Sequence, residues 1–268
     1  MVDEFDAHPR AVKPPATCYC LQRTRWPCLG SGPISAAMNP NGVIWSAAVW
    51  IIPLVIAIVF HEVSHGLAAR ALGDPTAAQL RRLSFNPLRH VDPIGTVVLP
   101  LMLAIAKAPV FGWAKPVPVD ARRITRTSPR TGMMLVALAG PGMNLALAFV
   151  GALLLGIFAH WVGEPADGSA AAFLGDNLVN FLLINVFLAL FNLIPLPPFD
   201  GGHVVAGLLP ERAALQWDKL ARFGFPLLIL LLLVLPALVP GANIVQRLVG
   251  PPAQALTQVY LGIAAAIA

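Results

Sequence analysis

His61-Glu62-Val63-Ser64-His65 ends an apolar run, VIWSAAVWIIPLVIAIVF at positions 43–60, that carries no charged side chain. On an α-helix, residues i and i+4 lie one above the other, so both imidazoles can reach one metal ion. A Glu beside the first of them is placed to hold a water and take its proton. A carboxylate inside a membrane helix costs roughly 2.5–3.5 kcal/mol or more, so an ionisable residue at the end of such a run reads as functional. A chance match in a soluble amphipathic helix would put these groups on a solvated face, and the uncharged run before them offers none.

Composition points to a membrane setting independently. Charged residues make up 12% of the chain, about half the ~25% of soluble domains, and mean hydropathy is +0.73. Several stretches reach the ~17–25 apolar residues that cross a bilayer. The net charge of +5 is gathered into a few blocks, which argues for membrane topology and against a nucleic-acid partner. Cys18, Cys20 and Cys28 are too few for a dependable zinc site or a disulfide framework and read as free thiols. Residues 1–41 are polar and lack the apolar segment of a signal peptide. They read as a disordered cytoplasmic leader or a non-native one, with Met38 as an alternative start. Residues 42–268 are then one integral membrane domain with its core at 43–207.

The expected fold is an all-α polytopic membrane protein with about four to six transmembrane helices. Spans are expected near 42–73, 131–160, 177–195 and 223–240, with Pro226 and Pro236 bending the last. The tail from Pro251 is either a fifth span or an interfacial helix. Ten of the eighteen Lys and Arg fall between Arg70 and Arg130, whereas 161–177 holds none but carries Glu164, Asp167 and Asp176. The positive-inside rule therefore puts 74–130 and 203–222 in the cytoplasm, with the histidine motif near the cytoplasmic end of its helix. With both ends of 74–130 on one side, the apolar segment 94–113 is expected to re-enter rather than cross, lining a cavity as it does so. The sequence after it, Trp113-Ala114-Lys115-Pro116-Val117-Pro118-Val119, has prolines at alternate positions and suits an extended strand able to pair along one edge.

Two histidines need at least one more protein ligand, with a position left open for water. Asp200 follows a long apolar run within Pro197-Pro198-Phe199-Asp200-Gly201-Gly202. The prolines end a helix and the glycines allow a tight turn, leaving the carboxylate at the helix mouth. A turn-forming Asp would have the same neighbours. His203 is the one credible substitute ligand, while His90 reads as structural and His160 as interfacial.

His61-Glu62-x-x-His65 together with Asn192-x-x-Pro195-x-x-x-x-Asp200-Gly201-Gly202 resembles the site-2 protease family (peptidase M50) of intramembrane zinc metalloproteases. The stretches Gly73–Ala77, Asn86–Thr96 and Gly112–Pro118 resemble its compact bacterial branch, and Gly140-Pro141-x-x-Asn144 matches another family motif. Phe199 stands where Leu is common and His203 where Arg is often seen. No PDZ-like or CBS-like insertion is present. The resemblance implies His61, His65 and Asp200 as zinc ligands, Glu62 as catalytic base, and Asn144 and Asn192 as substrate-binding residues near the cleft. It also implies a transmembrane protein substrate, a bacterial inner membrane, and an active site near the cytoplasmic side. A helical substrate must unwind before cleavage, and Trp113–Val119, with Trp113 and Val117, is a candidate to hold it by strand addition, an ordinary Pro-rich loop being the alternative. Competing readings are a metal-ion transporter using the same four polar residues, or a catalytically silent binder of membrane clients. The chain shows no repeat of broken helices to support the first, and its intact ligand set speaks against the second.

Overall fold

The structure, a computed structural model, describes residues 40–105, 112–230, 234–238 and 244–268. The expected leader lies outside these residues except for its last two positions, and so do all three cysteines. The chain divides into residues 1–43 and a compact unit of residues 44–268, to which the tertiary structure below belongs. The helices are α1 (Pro40–Ala71), α2 (Thr76–Gln79), α3 (Leu99–Ile105), α4 (Pro129–Val162), α5 (Ala170–Asn192), α6 (Asp200–Leu208), α7 (Glu211–Ala221), α8 (Gly224–Ile229), α9 (Leu235–Leu238) and α10 (Ile244–Ile267). Among the described residues, three stretches are long and apolar enough to cross a membrane: Ile44–Ala71, Pro129–Val162 and Ala170–Asn192. Their outward faces carry exposed Trp50, Ile51, Leu135, Phe149, Leu154 and Phe187. Side chains of this kind suit lipid, where the helical backbone satisfies its own polar groups.

Local chemistry sets the helix limits. Ser128 accepts the Thr131 N–H and Pro129 opens α4, a capping pattern with a pre-set φ. Gly163, at φ 65°, ends that helix. Ser169 accepts the Ala172 N–H and starts α5 at Ala170, seven residues ahead of the expected Asn177. The expected 223–240 span is represented by the short helices α8 and α9, and residues 231–233 and 239–240 lie outside the described ones. The tail is one long helix, α10, running along α4. Tyr260 donates its hydroxyl to the Leu145 carbonyl at 3.1 Å, and Ala264 lies over Gly156.

Ala148 and Ala152 of α4 and Leu182 and Val186 of α5 are fully buried against one another, with Leu256 and Leu261 of α10 packed on them. Small residues on α4 let the helices approach closely, and close packing rather than water exclusion drives such association in lipid. The same approach sets α4 against α1, where the site forms.

Between α1 and α4 the chain forms a 3₁₀ turn (Pro87–Arg89), a π-helical segment (Pro93–Val98) leading into α3, and a 3₁₀ turn at Ala121–Arg123. Residues 106–111, part of the expected re-entrant segment, lie outside the described residues. The expected strand at 113–119 pairs in no ladder. Three of its donors are engaged: Trp113 N–H by Gly95 O at 3.2 Å and Lys115 N–H by His90 O at 2.8 Å, and Val117 N–H by Glu62 at 2.9 Å. Pro116 and Pro118 have no N–H to offer. These residues form a strap tied to α1 through the Val117–Glu62 contact.

Candidate metal centre

His61 and His65, one turn apart on α1, point toward α4 and are only 7% and 9% exposed. Gly140 makes this possible. A Cβ there would lie 2.5 Å from His65 Cε1 and Nε2 and 2.7 Å from His61 Cε1. On the other side of each ring, Nδ1 has an oxygen partner: the Val136 carbonyl for His65 at 2.7 Å, and Asn144 Oδ1 for His61 at 2.5 Å. A carbonyl only accepts, so His65 carries its proton on Nδ1 and leaves Nε2 as a lone pair. Asn144 imposes the same tautomer on His61, because its Nδ2 faces two acceptors, Asn185 Oδ1 at 2.8 Å and Ala57 O at 3.3 Å.

Asp200 arrives from the far side. After α5 the chain folds back through residues 193–199, and Asp200 opens α6, where the helix N-terminus favours a negative charge. The following glycines are needed by that fold-back, since a Cβ on Gly201 would overlap the backbone carbonyls of Leu193 and Ile194. Trp217 Nε1 donates to Gly202 O at 2.9 Å and Arg130 Nε to Ala206 O at 2.6 Å, fixing α6 from both ends.

Three ligand atoms converge. The two Nε2 atoms are 3.0 Å apart, and Asp200 Oδ2 lies 3.2 Å from that of His61 and 3.4 Å from that of His65. This oxygen is buried without a hydrogen-bond partner. With both imidazole protons on Nδ1, three electron-pair donors face one another with no proton between them. Such an arrangement calls for a cation. A tetrahedral ion with bonds of ~2.0–2.2 Å spaces its ligands ~3.3–3.6 Å apart, slightly wider than the 3.0, 3.2 and 3.4 Å seen here, and two His with one carboxylate is a zinc donor set. Among the described residues these three are the group able to hold a metal.

A cavity of about 790 Å³ opens onto this cluster. Glu62, Trp113, Val117, Asn192 and His203 all line it. Asn192 is anchored by Nδ2 to the Leu188 carbonyl at 2.9 Å. His203 is at the cavity wall and outside the three-ligand cluster. Asn144 is not at the wall: it is 0% exposed, and both ends of its amide are engaged inside the protein, so the structure places it behind His61 and not against a substrate. His90 is buried with Nε2 on the Ser84 carbonyl at 2.7 Å, a structural contact. Asn185, fully buried beside Asn144, was not singled out by the sequence reading. Its signal was there, as a polar residue within an apolar span.

The family model for Peptidase family M50 matches residues 158–235. The chain is 36% identical over 186 residues to "Putative zinc metalloprotease YwhC" of Bacillus subtilis (strain 168), covering 69% of this chain and 80% of that protein. It is 33% identical over 191 residues to "Putative zinc metalloprotease Rip2" of Mycolicibacterium smegmatis, covering 69% of this chain and 66% of the relative. With "Putative zinc metalloprotease MJ0611" of Methanocaldococcus jannaschii it shares 40% identity over 95 residues, 35% of this chain and 39% of the other. No solved structure gives a significant match. A relative matched over four-fifths of its length, together with the family match, establishes that this chain belongs to peptidase family M50.

Proposed function

We propose that this protein is a zinc metalloendopeptidase of the site-2 protease type that hydrolyses peptide bonds of transmembrane substrates within the bilayer. The observation that carries this reading is the convergence of His61 Nε2, His65 Nε2 and Asp200 Oδ2 at the wall of a cavity that Glu62 also lines. Zinc held by those three residues would supply Lewis-acid polarisation of the scissile carbonyl and a water of lowered pKa. Glu62 would serve as the base that accepts a proton from the attacking water and as the acid that returns it to the departing amine. Asn144 and Val136 keep the imidazole protons turned away from the cluster, so His61 and His65 present lone pairs to it. Asn192 and Trp113 line the cavity where an unwound substrate backbone would lie, and Asn192 is the candidate to engage its amide groups. The concentration of basic residues in 70–130 supports a cytoplasmic placement of the site in a bacterial inner membrane.

The test is cleavage of a generic transmembrane substrate by detergent-purified protein, wild type beside Glu62→Gln, with zinc measured on both. Cleavage by wild type alone, with about one zinc per chain in both samples, is the expected result. Equal cleavage by both proteins would remove Glu62 from the reaction. Absence of zinc from the wild type would overturn the metal reading.

A further inference from the structure

We infer that Asn185, acting through Asn144, fixes which nitrogen of His61 is free to bind metal; the inference rests on the zinc reading above. The argument is one of hydrogen-bond polarity. The chain of contacts begins at the Phe181 carbonyl, which can only accept, and which takes the Asn185 Nδ2–H at 2.8 Å. That contact turns Asn185 Oδ1 toward Asn144. Oδ1 accepts from Asn144 Nδ2 at 2.8 Å, so Asn144 must present its own oxygen to His61 Nδ1, 2.5 Å away. His61 Nδ1 therefore donates, and Nε2 is a lone pair aimed at the cluster.

Both asparagines are 0% exposed, so no bulk water competes for these groups, and each bond depends on its neighbour's orientation. A second acceptor, Ala57 O, also faces Asn144 Nδ2, but at 3.3 Å and with its own helical donor one turn on. It is the weaker of the two orienting contacts. His65 needs no such chain, because a backbone carbonyl already fixes its tautomer. The two ligands on one helix are thus set by different means, one by main chain and one by a side-chain relay spanning three helices. Asn185 touches no reacting atom and is a positioning residue.

Three variants in detergent test this: Asn185→Leu, which keeps the branched shape at a larger volume and removes the acceptor; Asn144→Asp, which accepts through either oxygen and needs no orienting; and the double variant, in which any cost of that extra volume remains. Two quantities are read. Zinc affinity of the apo protein is measured by competition with a chromophoric chelator, and imidazole tautomers of apo protein by NMR of ¹⁵N-histidine. Wild type should show Nδ1–H on both cluster histidines. Asn185→Leu should bind zinc about tenfold more weakly, the low end of the ~10–100-fold effect of such outer partners, because Ala57 still pulls Asn144 the right way. Its His61 should show a mixture of tautomers while His65 keeps one. Adding Asn185→Leu to Asn144→Asp should cost less than about threefold, since the carboxylate accepts from His61 whatever stands at 185 and its other oxygen gains nothing from the Asn185 Oδ1 acceptor. An Nε2–H on His61 in the wild type overturns the inference without any variant. So does Asn185→Leu with unchanged affinity, or a tenfold loss in both backgrounds, which would make Asn185 a packing residue. Wild type that binds no zinc defeats the metal reading itself, a different result from a wild type that binds zinc and a variant that binds it equally.

Discussion

Val117 donates its backbone N–H to Glu62 Oε2 at 2.9 Å, joining residues 55 positions apart in the chain. The proposed base is therefore held by main chain of the strap and not by a side chain. The strap is itself pinned by Arg82, whose Nη2 donates to the Lys115 and Pro116 carbonyls at 2.9 and 3.3 Å and whose Nη1 donates to Arg89 O at 2.7 Å. Val117→Pro removes that donor at a position already bracketed by Pro116 and Pro118. A hydrogen bond to a charged group contributes about 1.5–3 kcal/mol, so kcat should fall by roughly tenfold or more if Glu62 needs this orientation in turnover. Zinc content should stay at the wild-type level. A variant that loses zinc and activity together would show the strap supporting the ligands instead of the base.

Gly140 and Gly142 sit two residues apart on α4 and make a matched pair. A Cβ at 140 would collide with both imidazoles, whereas one at 142 would meet nothing within 4 Å. Alanine is the better helix former at either place. Gly140→Ala should therefore leave a folded protein that retains zinc at least tenfold less well after dialysis against a chelator. Gly142→Ala should retain it fully. Equal retention by the two would mean that the imidazoles have room to move, and that the close approach of α1 and α4 is not what sets them.

Asp74 ties the end of α1 to the far end of the strap. Fully buried, it accepts the Thr76 N–H at 2.9 Å, the Thr76 hydroxyl, and the Asp120 N–H at 2.7 Å. Burial pushes its carboxyl up, but the Thr76 hydroxyl, the two backbone donors and the nearby Arg123 charge outweigh this and hold it below the ordinary 3.8. A depressed folded-state value means stability that is present above the unfolded value and lost as pH falls through the folded one. Apo protein in detergent should lose thermal stability as pH drops below about 4, and Asp74→Asn should flatten that part of the profile. Parallel profiles for the two proteins would assign the acid sensitivity to other carboxylates.

The parts of this molecule legible in its sequence are those written locally. The spacing of His61 and His65 is one helical turn, so a single apolar run reveals both the helix and the shared face. Asp200 was readable because prolines and glycines around it mark a turn, although placing it 3.2 Å from His61 takes the fold-back of residues 193–199. What the sequence hid depends on the approach of separate helices. Asn144 looked available to a substrate, yet its amide is consumed by α1 and α5. The start of α5 lay ahead of the apolar window because Ser169, a polar cap in a loop, sets it. The strap looked like a strand since alternation of prolines describes backbone shape, and says nothing about which groups take the remaining donors.

Pro53 lies inside α1 and is fully buried. Lacking an N–H, it leaves the Val49 carbonyl without its donor one turn on. Asn180 of α5 supplies one, with Nδ2 2.9 Å from Val49 O. A polar side chain and a helix-breaking residue, each unfavourable alone in a membrane span, thus answer one another. Asn180→Leu should cost about 1 kcal/mol in the wild-type background, within the range of interhelical hydrogen bonds measured in membranes. In a Pro53→Ala background the restored N–H serves Val49, so the same substitution should cost about half as much or less. Unfolding free energies in mixed micelles for the four proteins give the coupling directly. An equal cost of Asn180→Leu in both backgrounds would mean that Asn180 contributes by packing and that Val49 finds its donor elsewhere.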